Sequence, residues 1–205
     1  MSARSIDQAA ADLVRDAIWY RPGIPDAGTG HPELDALAHA FDGLVGYAGA
    51  FRVFGQTPGP LPTQQDWNRA DGWLSEYPDL PAGLVVFAEN FIGEQFAITG
   101  RGVIRIDLET GATEDVAPSV AQFLADVRTD PTEVGPELLQ RWERLHGRLD
   151  FNQHVSHPIP FVAGGAYKPE EMVATERYDL MRFRASFAAQ IRDLPDGARI
   201  RLRVE

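Results

Sequence analysis

The densest cluster of ligand-type side chains in the sequence is Asp150, His154 and His157, one carboxylate and two imidazoles within eight residues. Donors of this kind hold zinc and related ions, so the cluster defines one candidate chemistry, that of a metal-dependent enzyme. It lacks the four-residue His spacing and the Glu of a helical metalloprotease motif, and surface histidines on a loop are the plainer reading. Ser156 stands between the two histidines, but a nucleophile and its base are defined by hydrogen-bond geometry, which adjacency in sequence does not supply. Other reactive motifs fail on residue type. The single lysine, Lys168, is followed by Pro169, so no phosphate-binding loop with its Gly-Lys pair exists. Gly28-Thr29-Gly30 lacks a preceding strand and has Glu33 where a dinucleotide fingerprint needs glycine. Ser5 and Ser119 read as helix caps, and no serine sits in Gly-x-Ser-x-Gly. The consecutive carboxylates Glu114-Asp115 and Glu170-Glu171 point apart on regular structure. No cofactor is implied.

Composition narrows the field further. A chain of 205 residues, 44% hydrophobic and 24% charged, can bury one sizeable core. Its formal charge is -11, and residues 1–100 hold 13 Asp and Glu against 5 Arg. Such a field repels nucleic acid and anionic membranes and attracts basic partners. The absence of cysteine removes disulfides, thiolate metal sites and thiol nucleophiles. The first residues lack the apolar segment of a secretory signal, and no run is long enough to span a bilayer, so a cytoplasmic protein is expected.

The elements that must position any site follow from periodicity. Ser5 and Gln8 form a capping box ahead of a helix whose apolar face runs from Ile6 to Ile18 and which ends near Tyr20. A second apolar stripe, Leu34 to Phe51, is read as a longer helix weakened by Gly43, Gly46 and Gly49. Thr63 and Asp66 start a helix carrying Trp67 and Trp73 on its inner face. The run Leu84 to Ala88 is a strand covered on both faces, whereas Ile104, Ile106 and Leu108 alternate with Arg105 and Asp107 in a half-buried one. Ser119 and Gln122 cap a short helix, and Pro136 opens another. Residues 150–169 read as a long loop with a short strand at Ile159 to Val162. A final helix carries Leu180, Phe183, Phe187, Ile191 and Leu194, and Ala198, Ile200, Leu202 and Val204 alternate with Arg199, Arg201 and Arg203 in a terminal strand. The expectation is an α+β fold in one domain over 1–205, with a mixed, largely antiparallel sheet flanked by helices.

One stretch carries more specific information. Phe87-Ala88-Glu89-Asn90 ends an apolar strand, Gly93-Glu94 opens the next, Gly102-Val103 precedes a third, and Ser119 caps a helix with Phe123-Leu124. In order and spacing, residues 83–127 resemble the SUKH superfamily, whose bacterial members are largely immunity proteins that neutralise toxins. The resemblance implies a core at about 32–127, a C-terminal helix-strand extension at 128–205, and binding of a protein partner without catalysis or cofactor. A basic toxin domain would suit the acidic first half of the chain. Glu89, Asn90 and Glu94, beside the strand-connecting loop, are then the candidate partner-binding residues, with Trp67 and Trp73 as aromatic anchors. A regulatory scaffold that binds a host protein, as in the cell-wall-regulator branch, and the metal-dependent enzyme at Asp150, His154 and His157 are the alternatives.

Overall fold

The computed structural model describes residues 5–25, 28–195 and 197–198. Seven strands form one antiparallel sheet in which spatial order follows chain order: β1 (Trp19–Pro22), β2 (Phe41–Gly46), β3 (Phe51–Val53), β4 (Val85–Asn90), β5 (Gln95–Thr99), β6 (Gly102–Ile106) and β7 (Thr113–Ala117). A separate hairpin pairs β8 (Gln153–Ser156) with β9 (Val173–Glu176). The helices are α1 (Ile6–Arg15), α2 (Pro32–Ala40), α3 (Gln64–Trp67), α4 (Val120–Thr129), α5 (Pro136–His146) and α6 (Arg177–Ile191). The fold is α+β, as expected. The expected terminal strand falls almost wholly outside the described residues. Among those described, no helix is long and apolar enough to cross a membrane.

Of both expected capping boxes the serine half forms, while the Gln8 and Gln122 side chains donate forward to Asp12 and Asp126. Ser5 Oγ accepts from the Gln8 N–H and Ser119 Oγ from the Gln122 N–H, fixing where α1 and α4 begin. Two helix ends differ from expectation. The first helix stops at Arg15, because Ile18, Trp19 and Tyr20 with Pro22 favour extended backbone and enter β1. The second stops at Ala40, and all six residues of β2 are buried, so Leu44 and Val45 serve opposite faces of the sheet instead of one helix stripe. Gly43 takes φ +91°, and a Cβ there would sit 3.4 Å from the Trp19 ring and the Gly55 backbone, which a helix would not require.

Side-chain alternation splits the core. On one face, Leu44, Phe51, Val53, Phe96, Ile98 and Val103 pack under α1, α2 and α4. On the other, Val45, Val86, Ala97, Ile104 and Ile106 pack under Trp67, Trp73, Tyr77 and the Met181, Ala185, Ala188 stripe of α6. A third cluster, including Phe91, Ile92, Leu139, Trp142 and Val155, seats α5 and the β8–β9 hairpin at one end of the sheet. The first core centres on four rings. Phe123 lies 4.8 Å from Phe96, 6.0 Å from Phe51 and 5.9 Å from Phe87, the last pair edge-to-face. Phe123→Ala should lower unfolding free energy by about 3–5 kcal/mol in denaturant titration, since it opens a cavity beneath α4.

Candidate functional site

The β4–β5 hairpin holds three of the residues singled out from the sequence, and it separates them. Glu89 and Asn90 end β4 inside the protein, whereas Glu94 stands at the mouth of β5, half-buried beside a cleft. Asn90 ties the turn together: its Oδ1 accepts from the Glu94 N–H at 3.0 Å and its Nδ2 donates to Glu94 Oε2 at 2.6 Å. Gly93 adopts φ +87°, and a Cβ at this position would stand 3.0 Å from Arg184 Nη1 and 3.2 Å from His154 Nδ1. The Gly-Glu pair is therefore a packing requirement.

Glu89 is 0% exposed and faces the α6 side of the sheet. Arg177, the first residue of α6, pairs with its Oε1, and Arg52 Nη1 on β3 lies 3.5 Å from the same oxygen. Gln95 Nε2 donates to Oε2 at 3.3 Å, while Gln95 Oε1 accepts from Trp67 Nε1 at 2.7 Å. His154 Nε2 lies 3.1 Å from Glu89 Oε2 but outside good hydrogen-bond geometry, and its Nδ1 has no partner among the described residues. The arginines use their remaining donors on main chain. Arg52 reaches the carbonyls of Gly49, Phe151 and Gln153, and Arg177 that of Phe151. The Arg177 guanidinium also sits 5.6 Å from the Trp67 ring centroid.

Burial sets the protonation states. Desolvation alone would raise the Glu89 carboxyl, but the Arg177 and Arg52 guanidiniums outweigh it and hold the group well below the usual carboxylate range. Desolvation pulls His154 down to about 4 against the opposing pull of Glu89, so the imidazole is neutral near pH 7. Desolvation likewise pulls Arg52 down to about 10, leaving it charged. A carboxylate, two guanidiniums and a neutral imidazole, sealed from solvent, form a structural clamp that no substrate can reach.

These positions change how the sequence candidates read. Trp67 is buried, its indole N–H committed to Gln95, and Trp73 donates to the Trp67 carbonyl and shows only an edge to a groove along α6. The two tryptophans are not on one helix, since α3 ends at Trp67 and Trp73 opens a separate 3-10 turn. With Glu89 and Asn90 also interior, a partner on the surface would meet Glu94 and, of the other four, only the edge of Trp73. The metal-type cluster does not converge either. His154 lies in β8 against Glu89, the His157 ring pairs with Glu171, and Asp150 is exposed ahead of the strand. Three residues apart on extended chain, the two histidines point to opposite sides. No group of three His, Asp or Glu among the described residues could hold a metal ion. The strand expected at Ile159 to Val162 is a loop with a 3-10 turn, because β8 forms earlier, at Gln153–Ser156.

One of the surface clefts among the described residues opens beside Glu94, with a volume of ≈ 290 Å³. Its walls come from the β4–β5 turn, the Asp107–Ala112 turn between β6 and β7, and the loop around Phe161 and Tyr167, with Arg184 of α6 lining it. Asp107 builds the second wall by accepting from the Glu109 N–H at 2.8 Å and the Thr110 hydroxyl at 2.8 Å. Glu109 then crosses to the third wall, where its Oε2 accepts from the Val162 N–H at 3.1 Å. Burial raises Glu94 above the ordinary carboxylate range, against the pull of Arg105 and the Asn90 amide. Burial also raises Glu109, against the Val162 N–H and the field of Arg184. Arg105 is engaged elsewhere, donating to Glu114 Oε2 at 2.5 Å and Glu133 Oε2 at 3.1 Å. Glu94, Asp107 and Glu109 accordingly have no ion-pair partner among the described residues. Sequence reasoning did not find Glu109, Arg184, Phe161 or Tyr167. An alternation that puts acids next to a turn, as in Asp107-Leu108-Glu109, was the available signal.

No protein-family model matches the chain, and no curated protein matches it. Among solved structures it is similar to the crystal structure of Atu4351 from Agrobacterium tumefaciens, with a TM-score of 0.51. That likeness covers 85% of this chain and 86% of the other at 14% identity. It shows a shared fold.

Two outcomes test the clamp. Glu89→Gln, which strands two guanidiniums in the interior, should cost about 3–5 kcal/mol of stability. The unfolded chain protonates His154 at its ordinary 6.5 and the folded one only near 4. Stability should therefore be complete above pH 6.5 and fall as pH drops towards 4, with a further loss below 4.5, where the unfolded chain protonates Glu89 and the folded one does not. Denaturant midpoints across this range should show the decline, and His154→Gln should flatten its upper part.

Proposed function

We propose that this protein is a non-catalytic binding module that neutralises a toxin by docking on it directly. The observation that carries this reading is the company the acidic cleft keeps. Ile159, Val162 and Tyr167 are 49%, 48% and 53% exposed, and all three sit on the loop that forms one cleft wall or its margin. Large apolar side chains left in water beside unpaired carboxylates are the composition of a protein-recognition face, aromatic and apolar at its centre with charge that selects the partner. The resemblance of residues 83–127 to SUKH immunity proteins supports the same reading, and so does the acidic balance of the chain, which suits a basic toxin domain. The groups best equipped for acid–base chemistry, Glu89 and His154, are enclosed and committed to the fold.

Purified protein should capture the toxin encoded beside it and protect cells that express that toxin. Glu94→Arg should abolish both effects, whereas Gln140→Arg, an exposed change on α5, should leave them intact. A wild-type protein that neither captures nor protects would sink the reading.

A further inference from the structure

The cleft combines three features that its own residues leave incomplete. Glu109 is only 6% exposed and Arg184 only 4%, yet the two form no ion pair with each other or with any described residue. Arg184 Nη1 donates instead to the Ile92 carbonyl at 2.6 Å. Charged side chains this deeply placed are normally paired, because desolvation penalises a lone ion by several kcal/mol. Here Glu94, Asp107 and Glu109 face one small space, and Arg184 is the one cation lining it whose guanidinium is not already held by carboxylates. The excess in that space is negative.

The second feature is shape. The mouth is flanked by Phe161 and Tyr167, whose rings stack with centroids 4.1 Å apart and planes 19° from parallel. Tyr167 is more than half exposed, so the stack presents an aromatic surface to solvent next to the carboxylates. A flat cation can lie against such a surface and still reach the acids behind it, which a compact ammonium does less well. The third feature is rigidity. Glu94 is held by Asn90, Glu109 by the Val162 N–H and Asp107 by its own turn, so the acceptors are in place before anything binds.

We infer that the cleft is the receptor for a single arginine side chain of the protein partner, with Glu94 and Glu109 as the guanidinium acceptors and Tyr167 as its stacking platform. This rests on the protein-binding reading and narrows it: the toxin surface presents an exposed arginine, and that residue inserts between the β4–β5 turn and the Phe161–Tyr167 loop. Binding should weaken as salt rises, because the encounter is between opposite charges. It should also weaken as pH falls, beginning above the ordinary carboxylate range because burial raises both acceptors.

The test uses the full chain and N-acetyl-arginine amide as probe, with N-acetyl-lysine amide and N-acetyl-citrulline amide as controls, followed by amide NMR shifts. The arginine probe should bind with an affinity on the order of millimolar and move the resonances of Glu94, Glu109, Val162 and Tyr167. Lysine should bind several-fold more weakly, and citrulline, which has the shape without the charge, should not bind. Glu94→Gln with Glu109→Gln should weaken the arginine probe by at least about tenfold. Should those glutamines disturb the cleft, Tyr167→Ala provides an independent arm, expected to narrow the gap between arginine and lysine. Equal shifts with citrulline, or shifts located elsewhere, would overturn the assignment. Binding that emerges only after Arg199, Arg201 and Arg203 are replaced by glutamine would make this chain's own arginines the occupants and overturn it too. Capture of the toxin separates the two levels. If wild type captures it and the double glutamine variant does so equally well, the arginine receptor is wrong and the binding reading stands. If wild type fails to capture it while the probe binds as expected, the reverse holds.

Discussion

A single buried carboxylate organises this molecule. Glu89 sits where an apolar strand should continue, and an ion there is tolerable only if opposite charge reaches it from all sides. Arg52 arrives from the neighbouring strand, Gln95 from the other neighbour, His154 from the small hairpin and Arg177 from the start of the last helix. The two arginines are in turn fixed by main-chain carbonyls and Gln95 by the Trp67 indole. The interaction joins the seven-stranded sheet to everything that follows residue 150. Hydrophobic burial alone would favour that association without fixing its register, whereas ion pairs and carbonyl contacts have one geometry in which all are satisfied.

The clamp and the cleft share a hairpin, and this links stability to recognition. Four residues separate Glu89, facing inward, from Glu94 at the surface, and the turn between them is set by the Asn90 side chain and by the left-handed Gly93. Arg184 passes under that glycine to line the cleft, while His154 packs beside it on the clamp side. One turn thus holds both the interior charge network and the receptor wall in register. The remaining walls are loops, and they meet where the Val162 N–H donates to Glu109.

Much of the fold was legible in the sequence where local chemistry decides it. Ser5, Thr63 and Ser119 cap the helices that their spacing to Gln8, Asp66 and Gln122 announces, and the alternation around Arg105 marks β6. It was least legible where glycine and aromatic residues give both helix and strand periodicity, as from Leu34 to Phe51, because only pairing with β1 and β3 breaks the tie. The site was harder still. Glu89 was recognised as notable but assigned to the surface, since its partners lie 37, 65 and 88 positions away and no local pattern brings them in. Arg177 and Arg184 occupy the same buried stripe of α6 as Leu180, Met181 and Ala185, a face that periodicity assigns only when arginine is allowed into the core. Glu94 could be named from its turn, but its companion Glu109 becomes visible only once two hairpins and a distant loop are placed together.

Strands that neighbour one another in space also neighbour one another along the chain, so the sheet can zip hairpin by hairpin as synthesis proceeds. The latch is different: Arg177 must travel back over 88 positions to meet Glu89. Until the last helix emerges, that face of the sheet carries Glu89 with Arg52 and Gln95 beside it but without Arg177 or His154. The residue that cements the finished molecule thus completes its ion pairing only when the final helix docks.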